Sequence, residues 1–150
     1  MLFELLFFIN QNLVYFIICY YLRRKLFKSI HNAFGGNLIK IVTGGAPIRA
    51  ELGSFFDSIG INLINGYGIT ECSPLVSANR DYFNDCATVG VPLSCVEIKF
   101  ENVTPEGDGE ICVKGDTVML GYYEDEEATN EAIKDGWFHT GDLAKQDKDG

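Results

Sequence analysis

The pattern of hydrophobic and polar positions separates an apolar beginning from a longer part in which the two kinds alternate. Residues 2–22 contain two apolar runs, LFELLFFI and LVYFIICYYL, separated by three amides and followed by basic residues at 23–25. The length approaches the roughly 20 residues of a membrane-spanning helix, whereas Glu4 and the amides are costly in hydrocarbon. A membrane anchor, a buried or interface helix, and an N-terminus foreign to the native protein therefore all stay open.

The next part of the chain has the pattern of a β–α–β unit. Residues 23–34 (RRKLFKSIHNAF) place apolar side chains at helical spacing and end at two glycines. The apolar run 38–42 (LIKIV) predicts a buried strand. The stretch after Pro47 predicts a helix that ends at Gly60, and 61–65 (INLIN) predicts a second strand. This order favours a right-handed crossover between parallel strands.

Beyond Pro74 the pattern changes to one typical of antiparallel strands. VGVPLSCVEIKF and GEICVKG alternate apolar and polar residues between turn signals. Residues 123–134, rich in Glu and Ala, predict an exposed helix. The predicted fold is therefore α/β, with a partial parallel βαβ sheet unit followed by a small antiparallel β-subdomain. We divide the chain into an apolar segment 1–22, an α/β part 23–86 and a β-subdomain 87–150.

The net charge of −9, with acidic residues concentrated in the C-terminal half, changes the expected partners. Such a surface repels a phosphate backbone, which argues against nucleic acid. A nucleotide would be bound only if Mg²⁺ or helix N-termini offset the repulsion locally.

The five cysteines form no CxxC pair, which argues against a disulfide framework and against a zinc site and favours a reducing, cytoplasmic location. Membrane association through residues 2–22 stays open. The two histidines lack ligand-like spacing, so we interpret them as surface or packing residues. Cys72 has no histidine near it in sequence and is also interpreted as a packing residue. The aromatic residues Tyr122, Tyr123 and Trp137 are interpreted in the same way.

Two glycine-rich stretches, TGGAP and NGYGITE, each follow a predicted strand and should face one crevice at the carboxyl edge of the sheet. Glycine lets a flat ligand approach the backbone, and Tyr67 offers a stacking face. Thr70 can bind a phosphate oxygen and Glu71 can hold Mg²⁺. Each stretch alone is typical of an ordinary turn or a helix N-terminus. A third stretch, GWFHTGDLA, contains Asp142, which suits two ribose hydroxyls but equally a turn or an N-cap.

The stretches TGGAP, GYGITECSP, GEICVKGDTVMLGYY and GWFHTGDLA…DG, in this order, resemble the adenylate-forming superfamily, most closely the AMP-dependent long-chain fatty acyl-CoA synthetases. The resemblance runs from about Arg23 to Gly150. It implies a two-step ligase in which a carboxylate, here a fatty acid, attacks ATP to give an acyl-adenylate and pyrophosphate. Coenzyme A then captures the acyl group as a thioester, and Mg²⁺ assists.

The resemblance also implies roles for individual residues. Thr70 and Glu71 would be the catalytic pair, with Thr70 binding phosphate and Glu71 the Mg²⁺. Tyr67 would stack on adenine and Asp142 would bind the ribose. The other residues expected to line the nucleotide and acyl pocket are Gly44, Gly45, Ala46, Gly66 and Gly68.

The sequence departs from this family in two places. A Ser/Thr/Gly-rich phosphate loop is missing upstream, and the chain ends before the domain that carries the family's catalytic lysine. We therefore expect a truncated fragment that does not complete adenylation by itself. Two alternatives stay open: another adenylating enzyme, such as a peptide-synthetase adenylation domain or a different acid ligase, and a non-catalytic, membrane-anchored remnant that binds nucleotide.

Overall fold

The computed structural model of the protein describes residues 18–46, 48–81, 84–148 and 150. The hypothesis of a membrane anchor falls mainly on residues 2–17, which lie outside the described residues. Among the residues described, no helix is both long enough and apolar enough to cross a bilayer.

The described chain divides into two compact units. The first comprises residues 18–42 and 48–63, and the second comprises residues 43–46 and 64–150. The boundaries that we place after residues 22 and 86 stay predictions.

The first unit contains the helices and the beginning of the strands predicted for the N-terminal half. Asn62 donates its amide to the carbonyl of Ile39 at 3.0 Å, so the chain segments that start the two strands are neighbours. The order strand, helix, strand is the one that the sequence predicts. The elements are a helix at residues 18–26 (α1), α2 (Lys28–Ala33), β1 (Lys40–Thr43), α3 (Ala50–Ser58) and the start of β2 (Asn62–Gly68).

The burial in this unit differs from the pattern predicted for residues 23–34. The helix begins earlier, is interrupted at Phe27, and leaves Leu26 with 79% of its surface exposed. The buried side chain is His31, whose Nε2–H donates to the carbonyl of Ile59 at 2.7 Å. This bond replaces a bond to water at one ring nitrogen, whereas Nδ1 is buried and has no hydrogen-bond partner among the described residues. Val42 in β1 is likewise exposed, so the prediction of a buried strand is wrong at that position.

The second unit is built from antiparallel strands, as predicted for the chain beyond Pro74. β2 pairs with β3 (Leu75–Ala78), which pairs with β4 (Val91–Pro92). A four-stranded sheet follows in the order β5-β6-β8-β7. Its strands are β5 (Val96–Glu101), β6 (Gly109–Gly115), β7 (Ile133–Lys134) and β8 (Trp137–Ala144).

The helix of this unit, α4 (Glu126–Ala132), is shorter than the predicted helix over 123–134. It begins at Asp125, whose carboxylate accepts a hydrogen bond from the amide of Ala128 at 2.9 Å. It ends early because the next two residues form β7 and pair with β8, with Ile133 opposite Phe138. Tertiary pairing thus overrides the helix propensity of the last residues.

The core of the second unit draws its buried residues from the 3₁₀ turn at Thr70–Cys72, from β3 and from the four-stranded sheet. Its buried members are Cys72, Val76, Val96, Ile111, Val113 and Phe138. Cys72 is therefore a packing residue, as its sequence context indicates, and the α/β fold with an antiparallel part is confirmed.

Candidate functional site

The two glycine-rich stretches come together within the second unit. Gly44 follows directly after β1, and Gly66 lies in β2. A Cβ on Gly44 would lie 3.0 Å from the carbonyl oxygen of Gly66, so the two backbones are in contact. The stretches that the sequence assigns to one crevice are thus adjacent in the fold.

The glycines of β2 have a structural reason that the sequence pattern does not reveal. A Cβ on Gly66 would lie 2.9 Å from the carbonyl oxygen of Ser77, and a Cβ on Gly68 would collide with the carbonyl of Pro74. Close packing of backbone on backbone therefore explains both glycines without a ligand. Gly45 is different: its φ is +82°, and no described atom lies within 4 Å of the position of a Cβ. Gly45 and Ala46 are both exposed.

The segment around Tyr67 is a strand and not the loop that the glycines predict. β2 continues to Gly68 and pairs with β3, with a change of register between Tyr67 and Gly68. A bulge of this kind re-aims the side chains around it. The chain turns only afterwards, in a 3₁₀ turn at Thr70–Cys72 that ends with Ser73 in the left-handed region, at φ 59°.

This 3₁₀ turn carries Thr70 and Glu71. Thr70 is exposed and Glu71 is half-buried. The Oε1 atom of Glu71 accepts a hydrogen bond from the Tyr122 hydroxyl at 3.1 Å. The backbone carbonyl of Glu71 accepts a second hydrogen bond, from the amide of Met119, at 2.7 Å. The carboxylate is therefore held from the segment that precedes α4. The sequence pattern indicates only a packing role for Tyr122, whereas the fold places its hydroxyl beside the candidate residue Glu71.

Asp142 lies in β8, at a bulge and not in the isolated turn that the Thr-Gly pair predicts. The register of β6 and β8 shifts between Glu110 and Cys112. The amide of Asp142 donates to the hydroxyl oxygen of Thr140 at 3.0 Å, and Gly141, with φ +73°, donates its amide to Glu110 Oε1 at 3.0 Å. These bonds fix the backbone and leave the Asp142 side chain exposed.

The Tyr67 hydroxyl donates a hydrogen bond to Asp142 Oδ2 at 2.6 Å. Burial first, and this bond second, raise the pKa of Tyr67 above its ordinary value. The hydroxyl therefore stays protonated and acts as a donor at neutral pH. The ring and the acid, which are 75 positions apart in sequence, form one group.

Two other pKa values describe the surroundings of Glu71. Burial first, and the hydrogen bond to Glu71 second, raise the pKa of Tyr122 above its ordinary value. Burial, followed by the charge of Glu71, raises the pKa of the Cys72 thiol to about 11. The thiol is therefore mainly protonated at neutral pH, which makes it a poor nucleophile.

The carboxylates retain the capacity to bind a ligand. Tyr122 occupies one oxygen of Glu71 and Tyr67 occupies one oxygen of Asp142, and the part of the chain that the structure describes offers no hydrogen bond to either second oxygen. A carboxylate oxygen fits Mg²⁺, a hard cation, and also fits the hydroxyls of a ribose. This unit also contains a cavity of about 400 Å³, and neither Glu71 nor Asp142 lines it. Of the candidate residues described, Tyr67 alone contributes to the wall of this cavity, which also includes Val76, Ile98 and Phe100.

A family profile and the sequences of curated proteins both match this chain. The profile of the family described as AMP-binding enzyme matches residues 13–123. The chain is 40% identical over 129 residues to the long-chain-fatty-acid–CoA ligase FadD15 of Mycobacterium bovis, covering 85% of this chain and 20% of that protein. It is 41% identical over 131 residues to the long-chain-fatty-acid–CoA ligase of Salmonella typhimurium, covering 83% and 22%. The chain thus spans about a fifth of the length of these relatives.

Solved structures match as well. The O-succinylbenzoate coenzyme A synthetase of Bacillus subtilis, in complex with ATP and a magnesium ion, has a TM-score of 0.68 and 32% identity, covering 74% of this chain and 25% of that one. The anthranilate CoA ligase AuaEII, in complex with anthranoyl-AMP, has a TM-score of 0.67 and 26% identity, covering 75% and 23%.

Proposed function

Because this chain belongs to the AMP-binding enzyme family, we propose that it forms the adenosine-contacting part of an ATP-dependent acid–CoA ligase. The proposed reaction joins a carboxylic acid to the α-phosphate of ATP, releases pyrophosphate, and passes the acyl group from the adenylate to the thiol of coenzyme A. In this proposal the residues of the second unit bind and orient the nucleotide.

The observation that carries the proposal is the hydrogen bond from Tyr67 to Asp142. An aromatic ring and a carboxylate held side by side match the two parts of a nucleoside, since the ring can stack on the base and the acid can accept both ribose hydroxyls. The bond orients the two groups before the ligand arrives, which reduces the entropy lost on binding.

The phosphate end of the nucleotide is assigned to the 3₁₀ turn. Thr70 presents an exposed hydroxyl that can donate to a phosphate oxygen. Glu71 would hold Mg²⁺ through the oxygen that Tyr122 does not occupy. When bound, Mg²⁺ neutralises charge that develops on the departing pyrophosphate. Tyr122 would position the carboxylate without removing its charge.

The glycines would contribute in two ways. Gly44, Gly66 and Gly68 let the strands and loops approach closely enough to bring the two stretches together. Gly45 and Ala46 would line the adenine and acyl side of the site, because they are exposed and the space beside Gly45 is open.

A fatty acid is the proposed carboxylic substrate. Relatives with about 40% identity over most of this chain are named long-chain-fatty-acid–CoA ligases. A ligase for another acid is the second candidate, since the solved relatives are named for O-succinylbenzoate and anthranilate. Release of AMP from ATP with a panel of fatty and aromatic acids, by an enzyme that contains this segment, separates the two.

Calorimetric titration of the 150-residue chain tests the nucleotide assignment directly. We expect AMP to bind without metal and ATP to bind more tightly when Mg²⁺ is present. A chain that binds neither nucleotide, while far-ultraviolet circular dichroism shows it folded, would contradict the proposal.

A further inference from the structure

One face of the second sheet carries a cluster of metal-ligand side chains outside the proposed nucleotide site. Glu101 on β5 is the cross-strand partner of Glu110 on β6, and Cys112 on β6 is the partner of His139 on β8. Alternate residues of a strand share a face, and direct partners on neighbouring strands are adjacent. Three strands therefore bring two carboxylates, a thiol and an imidazole to one place.

The ligand atoms of Glu101, Cys112 and His139 are already close to the separations that a single ion requires, and Glu110 lies beside His139. Cys112 Sγ lies 3.5 Å from His139 Nδ1, which in turn lies 3.6 Å from Glu110 Oε2 and 3.9 Å from Glu101 Oε2. The ligand atoms of Glu101, Cys112 and His139 all lie within 4.8 Å of one another. A tetrahedral zinc ion, with bonds of about 2.3 Å to sulfur and about 2.0–2.1 Å to nitrogen or oxygen, places sulfur and nitrogen about 3.5 Å apart and two lighter atoms about 3.4 Å apart.

We propose that Glu101, Cys112 and His139 bind a divalent transition-metal cation of the zinc class, with Glu110 as the fourth ligand. The combination of thiolate, imidazole and carboxylate suits zinc or cobalt, whereas magnesium prefers oxygen alone. The proposal is independent of the nucleotide site and of the ligase reaction.

The surroundings hold the ligands and leave an approach for the ion. Cys112 is fully buried, while the side chains of His139, Glu110 and Glu101 are 17%, 22% and 37% exposed. The second oxygen of Glu110 accepts the amide of Gly141, which fixes the orientation of this carboxylate. A bound ion would tie β5, β6 and β8 together beside the bulge that presents Asp142.

The positive charge of Lys99 disfavours cation binding at this cluster, so removing that charge tests the site. The Nζ of Lys99 lies 2.5 Å from Glu101 Oε1 and 4.6 Å from the centre of the Trp137 ring. The ammonium repels a cation and competes for Glu101. Replacing Lys99 by methionine keeps an unbranched side chain against Trp137 and removes the charge.

Titration of the reduced 150-residue chain with Co²⁺ tests the site, because a bound thiolate gives a charge-transfer absorption that oxygen and nitrogen ligands do not give. We expect this absorption in the unaltered chain, its loss on addition of Zn²⁺, and its absence from Cys112→Ala. His139→Gln should weaken Co²⁺ binding at least about tenfold, and Lys99→Met should strengthen it several-fold.

Cys95→Ser is the matched control, since Cys95 is an exposed cysteine of the same unit, and it should retain the absorption. Circular dichroism establishes that each variant is folded. An unaltered chain that shows no thiolate absorption overturns the proposal, as does an absorption that depends on Cys95 and not on Cys112. The gain in affinity expected for Lys99→Met cannot come from misfolding, so unchanged affinity in that variant also counts against the site.

Discussion

The hydroxyl of Tyr67 and the carboxylate of Asp142 lie 2.6 Å apart and join β2 to β8 within one compact unit. This pair joins an aromatic face to an acid that can accept ribose hydroxyls.

Removing the ring of Tyr67 should affect nucleotide binding far more than removing its hydroxyl. Tyr67→Ala loses base stacking worth about 1–3 kcal/mol. Tyr67→Phe keeps the ring and removes only the hydrogen bond to Asp142, whose oxygen is then solvated. We therefore expect AMP affinity to fall about five- to 150-fold in Tyr67→Ala and by a smaller factor in Tyr67→Phe, which loses only the bond that orients the two groups. Calorimetric titration measures both. Tyr123→Ala, at an exposed tyrosine of the same unit, is the control, and an equal loss in that variant would contradict the assignment.

Asp142 should determine whether the chain distinguishes a ribose from a deoxyribose. Since the carboxylate is proposed to accept both hydroxyls, AMP should bind more tightly than 2′-deoxy-AMP, by about tenfold for a charge-assisted hydrogen bond. Asp142→Asn should reduce that ratio towards one. The exposed Asp116 provides the control variant Asp116→Asn. A ratio that is the same in Asp142→Asn and in the unaltered chain would exclude Asp142 from the ribose site.

Glu71 should account for the Mg²⁺-dependent component of ATP binding. Glu71→Gln keeps the shape of the side chain and removes its charge, so ATP affinity in Mg²⁺ should fall while AMP affinity without metal stays constant. Glu106→Gln, in an exposed loop of the same unit, is the matched control. Titrations of each variant with and without Mg²⁺ give the comparison, and an equal loss for AMP would assign Glu71 to folding instead.

The raised pKa of Tyr67 predicts a loss of stability at alkaline pH. Above the ordinary pKa of 10.0 the unfolded chain releases this proton, whereas the folded chain retains it. The free energy of unfolding should therefore fall as pH rises from about 10 towards the folded pKa. Urea unfolding at about pH 8 and about pH 11 measures the fall, which should be smaller in Tyr67→Phe. Every other titratable group is the same in both proteins, so the difference between their two falls in unfolding free energy reports Tyr67. An identical fall in both proteins would contradict the raised pKa of Tyr67.

Much of the fold could be predicted from local pattern. Alternation of apolar and polar residues in 96–101 and 109–115 identified β5 and β6, because antiparallel strands keep one face on the core. The glycines at 66 and 68 favour a loop after Asn65, but β2 continues to Gly68 because pairing with β3 outweighs their weak strand propensity. Leu26 and Phe55 follow a helical apolar spacing but are exposed in this chain, and spacing alone cannot say which elements cover a face.

The candidate site was predictable only in part. The sequence identified Tyr67, Glu71 and Asp142 as chemically suitable, and the structure brings Tyr67 and Asp142 into contact. Tyr122 was missed because its position beside Glu71 depends on a contact between residues 51 positions apart. Rules of ligand spacing recognise ligands from one loop or helix, so they give no signal for Cys112 and His139, which the fold brings together on neighbouring strands.

The most direct test of the nucleotide site is a double-mutant cycle on AMP affinity with Tyr67→Ala, Asp142→Asn and the two combined. If the ring and the acid bind one nucleoside as a unit, each single change should weaken binding and the double change should weaken it by clearly less than the sum of the two free energies. Affinities for AMP that stay equal across the unaltered chain and all three folded variants would contradict the account.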